Sequence, residues 1–353
     1  MFNCSKEITG YHDDRVTLPQ SERTEMRDRR NSNRDRVKNG LNKNGDPAAD
    51  EFVSQGSYAM KTMVQHINNE YDIDDGVYFA KEDLKGSQGA DKTAFDARQM
   101  VRDAVDDGGF KTPPAVRKNC VRVFYEKGYH VDLPVYRRVE ESDFLGNTRE
   151  YFELASSDWR LSDARNVTSW FDQENRSQSP DATNGRQLRR VTRLIKKFAQ
   201  SRDSWRGKIG SGFMITKLVT EKYVKDQDRE DSSLYDTMKA IRNRLENDLV
   251  VKHPVTPDST ITSGDADPKA KFLKEKLTDA LTGLDILFES DCTQEKAMKA
   301  WDKVFNTTYF SDKFGESDDQ KANAAGGGWL VSGGSSSDSP SSAVKKDGGG
   351  RYA

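Results

Sequence analysis

Two short stretches in the first half of the chain place carboxylates among alternating apolar residues. The first is YDIDDGVYFA, with Asp72 and Asp74, and the second is GYHVDLPVYRR, with Asp132. Alternation with a period of two is typical of a β-strand whose faces differ, so both stretches are predicted to be strands. Side chains two apart on a strand share a face. Asp72 and Asp74 are therefore predicted to point to one side of the sheet, and Asp75 to the other.

A third carboxylate is expected to join this pair. Val131 and Leu133 are predicted to face a core, which leaves Asp132 on the opposite side of its strand. If the strands are neighbours, Asp132 lies beside Asp72 and Asp74. Hard oxygen ligands favour magnesium, or manganese in its place, over zinc. Two such ions about 3.5 to 4 Å apart activate an attacking hydroxyl and stabilise a leaving phosphate. The three acids thus predict a two-ion Mg²⁺ site.

The stretch SQGSYAM lies upstream of the acids. Gly56 allows the backbone to approach a phosphate closely, and Ser57 can donate its hydroxyl. A helix that starts there would direct free amides and a positive dipole end at the same anion. Gln55 is either a further nucleotide contact or a cap of the loop. Taken alone, Gly-Ser is an ordinary loop and the acids a solvated turn; in this order they predict a nucleoside triphosphate site.

Composition argues against several other classes of protein. The 353 residues include 56 basic and 58 acidic side chains, for a formal charge of -2, so bulk electrostatics does not favour DNA or an anionic membrane. Three scattered cysteines and four histidines show no spacing typical of zinc sites. No apolar run reaches membrane-spanning length and the start lacks a secretory pattern. A cytoplasmic protein is predicted, with no membrane partner.

The order of patterns predicts an α+β fold followed by a helical lobe. Within the first part, DKTAFDARQMVRDAVDD has helical spacing, with Phe95, Met100 and Val101 on one side. The predicted parts are residues 1–48, a charged N-terminal helix packing on the core; 49–180, the catalytic core; 181–315, the helical lobe; and 316–353, a disordered Gly/Ser-rich tail ending in GGGRYA. Residues 145–180 fit a lid or a packed insertion.

The first helix of the lobe lies in a strongly basic segment. Residues 186–208 carry nine positive side chains and one acid, Asp203. These cations are predicted to line a cleft that balances the charge of nucleotides and pyrophosphate. A nucleic-acid groove is the competing interpretation, but Phe198 and Trp205 are its only aromatic residues, too few for stacking on bases. No stable nucleic-acid complex is therefore expected.

The motifs together resemble a known signature. Residues 55–57 (QGS), 72–76 (DIDDG) and 130–136 (HVDLPVY) resemble the polymerase-beta-like nucleotidyltransferases. They are most similar to the bacterial cGAS/DncV-like group of antiphage cyclic-oligonucleotide signalling systems, and within it to the DncV cyclic GMP-AMP synthase branch. LRRVTRLIKKFAQ resembles a family helix that carries a phosphate-binding lysine. The similarity covers about residues 50–310.

This resemblance implies a polymerase-beta-like core and a role for each motif residue. Lys196 would neutralise phosphate charge, with a solvated charge on a basic face as the alternative, and Ser211 would contact sugar or phosphate. Asp75 would stay outside the metal shell and support a turn at Gly76. The implied catalytic and metal-binding residues are Asp72, Asp74 and Asp132, and the implied nucleotide-binding residues are Gln55, Gly56, Ser57, Lys196 and Ser211.

The implied activity is the joining of ATP and GTP into a cyclic dinucleotide, with release of pyrophosphate. The product, rather than this chain, would bind a downstream effector. Two alternatives remain open at this point. One is a linear transferase of the oligoadenylate, CCA-adding or poly(A) type, which shares the metal triad. The other is a non-catalytic binding or conjugation partner with the same fold.

The last residues, GGGRYA, stand at the end of the Gly/Ser-rich tail. On composition alone this is a frayed terminus. The family resemblance implies another role, because cyclases encoded with a ubiquitin-transfer-like conjugating enzyme end in a similar Gly-Arg-aromatic sequence. The carboxylate of Ala353 would then be adenylated and joined to a target by that partner.

Overall fold

The computed structural model describes residues 1–66, 71–86, 88–143, 146–162 and 164–315. In this part of the chain, strands end at Leu161 and only helices follow. The strands are β1 (Glu51–Gln55), β2 (Asp72–Ala80), β3 (Ala115–Val116), β4 (Val121–Phe124), β5 (His130–Leu133), β6 (Val135–Ser142), β7 (Thr148–Ala155) and β8 (Trp159–Leu161). The α-helices are α1 (Ser5–Tyr11), α2 (Gln20–Asn44), α3 (Gly56–Ala59), α4 (Ala94–Val105), α5 (Ala164–Gln178), α6 (Gln187–Ala199), α7 (Gly212–Lys222), α8 (Glu230–Asn247), α9 (Pro268–Gly283) and α10 (Gln294–Phe305).

Strand β2 organises the sheet. It pairs antiparallel with β1 along one edge and parallel with β5 and then β6 along the other. The run predicted as one strand is thus two, because Pro134 separates β5 from β6 and the carbonyl of Pro134 accepts from the amide of Val77 at 2.8 Å. Beyond β6, β7 and β8 extend the sheet by antiparallel pairing. Much of the 145–180 region is therefore sheet and helix α5, a packed continuation of the core.

Helix α4 forms where the spacing predicts it, but its buried face differs by one residue. Ala94, Ala97 and Val101 are buried, whereas Phe95 is 55% exposed. Thr93 accepts from the amide of Asp96 in a capping box, which fixes the start of the helix and turns Phe95 outward. The i, i+3, i+7 stripe that starts at Ala94 is the one that faces the sheet.

Most of the buried apolar residues of the described chain belong to two large clusters. One lies between the sheet and helices α2 and α4, and the other is formed by α6 to α10. The N-terminal region contributes to both: Met26 and Val37 of α2 join the sheet cluster, while Ile8 and Tyr11 of α1 join the helical cluster. Residues 1–48 therefore do not pack on the catalytic core alone. No described helix has the length and apolar character needed to cross a membrane.

A buried ion pair ties α2 to the central strand. Asp75 is fully buried, and Arg34 donates to its two carboxylate oxygens at 2.7 and 2.6 Å. The hydroxyl of Ser54 donates to the same carboxylate at 2.9 Å. The predicted outward orientation of Asp75, away from Asp72 and Asp74, is thus explained by a dedicated guanidinium on the other side of the sheet. The turn expected at Gly76 is wrong, because Gly76 lies inside β2.

Replacing Arg34 tests the energetic role of this pair. Arg34→Ala leaves the buried carboxylate of Asp75 without its guanidinium, and we expect the free energy of unfolding to fall by about 3 kcal/mol. Urea denaturation of the purified protein measures this change. Arg27→Ala on the same helix is the control, because the Arg27–Asp28 pair is exposed and contributes at most about 1 kcal/mol. Equal losses in the two variants would contradict the assignment.

Candidate active site

Strand register brings the three predicted carboxylates to one face of the sheet. On the parallel strands β2 and β5, Asp74 lies directly opposite Asp132, and Asp72 lies opposite His130. In-register residues of neighbouring parallel strands project to the same side. The buried residues Ile73 and Val131 face the apolar cluster on the other side. The structure thus places Asp72, Asp74 and Asp132 together, as the sequence predicts.

Electrostatic strain is concentrated at the middle carboxylate. Burial, together with the negative charges of Asp132 and Asp72, raises the pKa of Asp74 to about 7. Asp132 has a partner, since Arg122 donates to its two oxygens at 2.8 and 2.7 Å. The same guanidinium lies 4.0 Å from Asp72, whose carboxylate is also 3.3 Å from Nδ1 of His130. Among the described residues, no hydrogen-bond donor reaches the carboxylate of Asp74.

The donor set suits hard cations, although the described residues do not contain three acidic, His or Cys side chains already arranged around a common point. Asp132 is turned toward Arg122, so it must exchange or share that guanidinium to meet a cation together with Asp74. Carboxylate oxygens are the ligands that Mg²⁺ takes from proteins. A cation bound there would offset the repulsion that raises the pKa of Asp74. Asp72, Asp74 and Asp132 therefore fit a divalent cation by their chemistry.

Gly56 places the end of β1 tightly against Asp74. Its φ of +62° lies in the left-handed region, and a Cβ built on it would overlap the Asp74 carboxylate. A glycine is required at this position for both reasons. The helix that follows, α3, is only four residues long, so the dipole contribution predicted for it is small. Gly56 and Ser57 still line the cleft above Asp74.

Gln55 has a structural role in its side chain. Its Nε2 donates to the hydroxyl of Tyr78 at 3.1 Å, and its Oε1 accepts from the hydroxyl of Tyr136 at 3.0 Å. The side chain is 4% exposed and makes no cap for α3. The alternative of a loop cap is therefore wrong. Gln55 still lines the cleft, and its predicted nucleotide contact stays a prediction. The side-chain amide of Gln55 lies beneath the cleft, in the space that a Cβ at Gly76 would fill.

Lys196 reaches the cleft from the helical lobe. It is 5% exposed, and its Nζ donates to the Thr62 hydroxyl at 2.8 Å. Burial, and then the charge of Arg193, lower the pKa of Lys196 to about 7. Because Lys196 is buried, the alternative of a solvated charge is wrong. In the described part of the chain, no carboxylate lies within ion-pair distance of its amine. A buried cation without a counter-ion at the wall of a cleft is suited to an anionic ligand.

The rest of the basic segment does not line the cleft. Arg190 is bound by Glu230 and Asp181, and other cations of α6 donate to main-chain carbonyls. The predicted basic lining is therefore reduced to Lys196. Ser211 caps α7 by accepting from the amide of Met214 at 3.2 Å, and its neighbour Gly212, instead of Ser211 itself, lines the cleft. Ala353 lies outside the described residues, as does the tail that carries it.

A cleft of about 540 Å³ lies between the sheet and the helical lobe. This volume falls within the usual range for small-molecule sites. Its polar groups come from both parts of the structure, and Asp74 and Lys196 stand on different walls. The lining residues are Gln55, Gly56, Ser57, Met60, Thr62, Met63, Val64, Tyr71, Asp72, Asp74, Ser162, Ala164, Val167, Lys196, Gln200, Gly212, Phe213 and His253.

Two residues of this site were not predicted from the sequence. Arg122 was missed, although it lies opposite Asp132 on the antiparallel strands β4 and β5. Thr62, which binds Lys196, was missed because its segment has no regular secondary structure and hence no periodicity.

Part of the first half of the chain is similar to known proteins. Residues 50–136 match the family model "Cyclic GMP-AMP synthase DncV-like, nucleotidyltransferase domain". A cyclic GMP-AMP synthase of Escherichia albertii is 22% identical over 222 residues, which make up 60% of this chain and 45% of that protein. The match thus spans less than half the length of this curated relative.

Solved structures share the fold at low sequence identity. CdnC of E. coli MS115-1 with ATP has a TM-score of 0.62 at 18% identity, covering 86% of this chain and 98% of that one. DncV of Vibrio cholerae with the linear intermediate 5′ pppA(3′,5′)pG has a TM-score of 0.64 at 17% identity, covering 86% and 96%. CdnG of Bradyrhizobium diazoefficiens with GTP gives 0.63 at 14%, covering 88% and 98%. The predicted family resemblance and the α+β fold class with a helical lobe are confirmed.

The burial of Lys196 predicts a pH-dependent stability. Its pKa falls from its ordinary value near 10.5 to about 7 on folding, so between these values the unfolded chain holds a proton that the folded chain has lost. The free energy of unfolding should therefore rise with pH across this window, by up to about 1.4 kcal/mol per pH unit. Lys196→Met lacks the group and should lack this increment. Urea denaturation from pH 7 to 10 compares the two, with Lys208→Met on the surface as the reference for loss of one charge. Parallel pH courses for wild type and Lys196→Met would contradict the assignment.

Proposed function

We propose that the protein joins nucleoside triphosphates into a cyclic dinucleotide, because residues 50–136 match the model of the DncV-like nucleotidyltransferase domain. The observation that carries the proposal is the register of β2 and β5, which sets Asp74 beside Asp132 with Asp72 two residues away. The Gly56 turn lies directly over this group. Nucleotidyl transfer requires carboxylates that can hold metal ions and a backbone that a phosphate can approach closely.

In the proposed reaction, a ribose hydroxyl of one nucleotide attacks the α-phosphorus of another. A new P–O bond forms, the bond to the β-phosphate breaks, pyrophosphate leaves, and the hydroxyl gives up its proton. Bound Mg²⁺, held by Asp72, Asp74 and Asp132, would supply Lewis-acid activation of the hydroxyl and charge neutralisation. The Gly56 and Ser57 backbone would bind the triphosphate of the donor. Lys196 would neutralise phosphate charge from the opposite wall.

ATP and GTP are the proposed substrates, and closure of the ring takes a second transfer. The support comes from relatives with this fold: CdnC is described with ATP, CdnG with GTP, and DncV with the linear intermediate 5′ pppA(3′,5′)pG. A product of this kind would act as a second messenger on a downstream effector in antiphage defence. The cleft of about 540 Å³ falls within the size range of small-molecule ligand sites.

Product analysis tests the proposal. The purified protein, incubated with ATP, GTP and Mg²⁺, should form a phosphatase-resistant product with the mass of a cyclic dinucleotide. Asp72→Asn with Asp74→Asn should abolish synthesis while the fold is kept, because the exchange removes like charges that repel and not core residues. Asp83→Asn, at an exposed position of the same region, is the matched control. Phosphatase-sensitive linear oligomers from the wild type would instead establish a linear transferase.

The proposed function extends to the tail, whose residues lie outside the described part of the chain. A ubiquitin-transfer-like conjugating enzyme would adenylate the Ala353 carboxylate and join it to a target. Deletion of Ala353 should leave dinucleotide synthesis unchanged and abolish covalent adducts of the tagged protein in cells that contain such an enzyme. Intact mass and immunoblotting measure the adducts. Loss of synthesis on deletion would contradict the separation of the two roles, and adducts that persist would place the linkage elsewhere.

A further inference from the structure

One face of helix α6 is bonded to the segment that follows the Gly56 turn. Arg189 donates to the carbonyl of Met60 at 3.0 Å, and Lys197 donates to that of Gln65 at 2.7 Å. Between them, Arg193 donates through Nε and Nη2 to the carbonyl of Lys61 at 2.8 and 2.6 Å. These cations lie at positions i, i+4 and i+8, one side of a helix. The helical lobe thus holds the 60–65 segment of the catalytic core by its backbone.

The backbone held by Arg193 is in an unfavourable conformation. Lys61 has a φ of +54°, in the left-handed region that side chains other than glycine rarely adopt. Its own side chain is exposed. Two backbone bonds hold the turn, from the Lys61 amide to the Tyr58 carbonyl at 3.1 Å and from the Thr62 amide to the Ser57 carbonyl at 2.8 Å. The two donors of Arg193 on the Lys61 carbonyl are the side-chain contact that adds to them. Such a turn persists only where its surroundings hold it.

Arg193 is itself an unusual group for a structural role. It is 8% exposed, and no carboxylate of the described chain lies within ion-pair distance of it. Burial and the neighbouring Arg189, Arg23 and Arg190 lower its pKa to about 10. A buried cation among other cations costs stability. The contacts that Arg193 makes in return are the two bonds to the Lys61 carbonyl and one between Nη1 and Nε2 of His12 at 3.4 Å.

The segment it holds borders the cleft on two sides. Immediately before Lys61, α3 carries Gly56 and Ser57 over Asp74; immediately after it, Thr62 binds Lys196. Met60 and Thr62 themselves line the cleft. A change of φ at residue 61 would move both groups relative to one another.

We propose that Arg193 is a positioning residue for nucleotide binding: by fixing the left-handed turn at Lys61, it sets the Gly56–Ser57 backbone and Lys196 at the spacing that a triphosphate bridges. The inference rests on the proposed function for the identity of the ligand. Arg193 acts through the main chain and does not touch the nucleotide. Without it, residue 61 relaxes to the right-handed region, and only the minor left-handed fraction of molecules binds well, which lowers the apparent affinity by that fraction.

The test measures binding and not only turnover. Arg193→Met keeps the length of the side chain and loses the two donors. The dissociation constant of a non-hydrolysable ATP analogue with Mg²⁺, followed by calorimetry, should rise by about tenfold or more. In steady-state assays KM should rise while kcat changes little. Arg190→Gln is the matched control on the same helix, because Arg190 binds Glu230 and Asp181 instead of the 60–65 segment; it should lower thermal stability without changing the dissociation constant.

Substitutions at residue 61 in the Arg193→Met background separate positioning from a general structural defect. Lys61→Gly should recover roughly fivefold in affinity because glycine adopts positive φ readily, Lys61→Asn should recover part of this, and Lys61→Val should weaken binding further. An affinity that ignores the left-handed propensity of residue 61, or is unchanged in Arg193→Met while the wild type binds the analogue, would overturn the inference. A wild type that binds no nucleotide would instead overturn the proposed function.

Discussion

Two carboxylates held side by side on parallel strands repel each other, and the arrangement of the site follows from how that repulsion is met. Asp132 is neutralised by Arg122 from the adjacent strand, while Asp74 has no donor among the described residues and its pKa is raised to about 7. Asp75, the acid next to Asp74 in sequence, lies on the other face and is paired with Arg34. Negative charge without a positive partner among the described residues therefore remains on one side of the sheet, the side that carries Asp74. That side opens to the cleft.

The helical lobe supplies positive charge sparingly. Most cations of α6 bind carboxylates or main-chain carbonyls of the protein. The basic segment, which the sequence predicts to line a cleft, therefore mainly connects α6 to neighbouring elements. What remains facing the cleft is Lys196, whose pKa is lowered to about 7. Because Lys196 is buried, water screens its charge less than it screens the charges of exposed cations.

Some of this arrangement was predictable from the sequence, and the reason is periodicity. Period-two alternation placed Asp72, Asp74 and Asp132 on one face, and helical spacing placed Met100 and Val101 on the same side of a helix, where both are buried. Side chains whose partner lies on a distant element gave no such signal. In the sequence, Arg34, Arg122 and Arg193 cannot be told from solvated surface charges. Their roles depend on contacts between elements that are distant along the chain. The tyrosine partners of Gln55 gave no signal for the same reason, since Tyr78 and Tyr136 meet only in the folded sheet.

The packing beneath the cleft couples the residues that can stand at positions 55, 76, 78 and 136. The rings of Tyr78 and Tyr136 stack with centroids 4.5 Å apart, the Gln55 amide bridges their hydroxyls, and a side chain at position 76 would occupy the volume of that amide. These positions cannot drift one at a time. A lineage that gains a methyl group at 76 must shorten residue 55 in the same step or lose both tyrosine hydrogen bonds. The floor of the site therefore tolerates substitutions only in matched sets, because each of these side chains fills space that another leaves open.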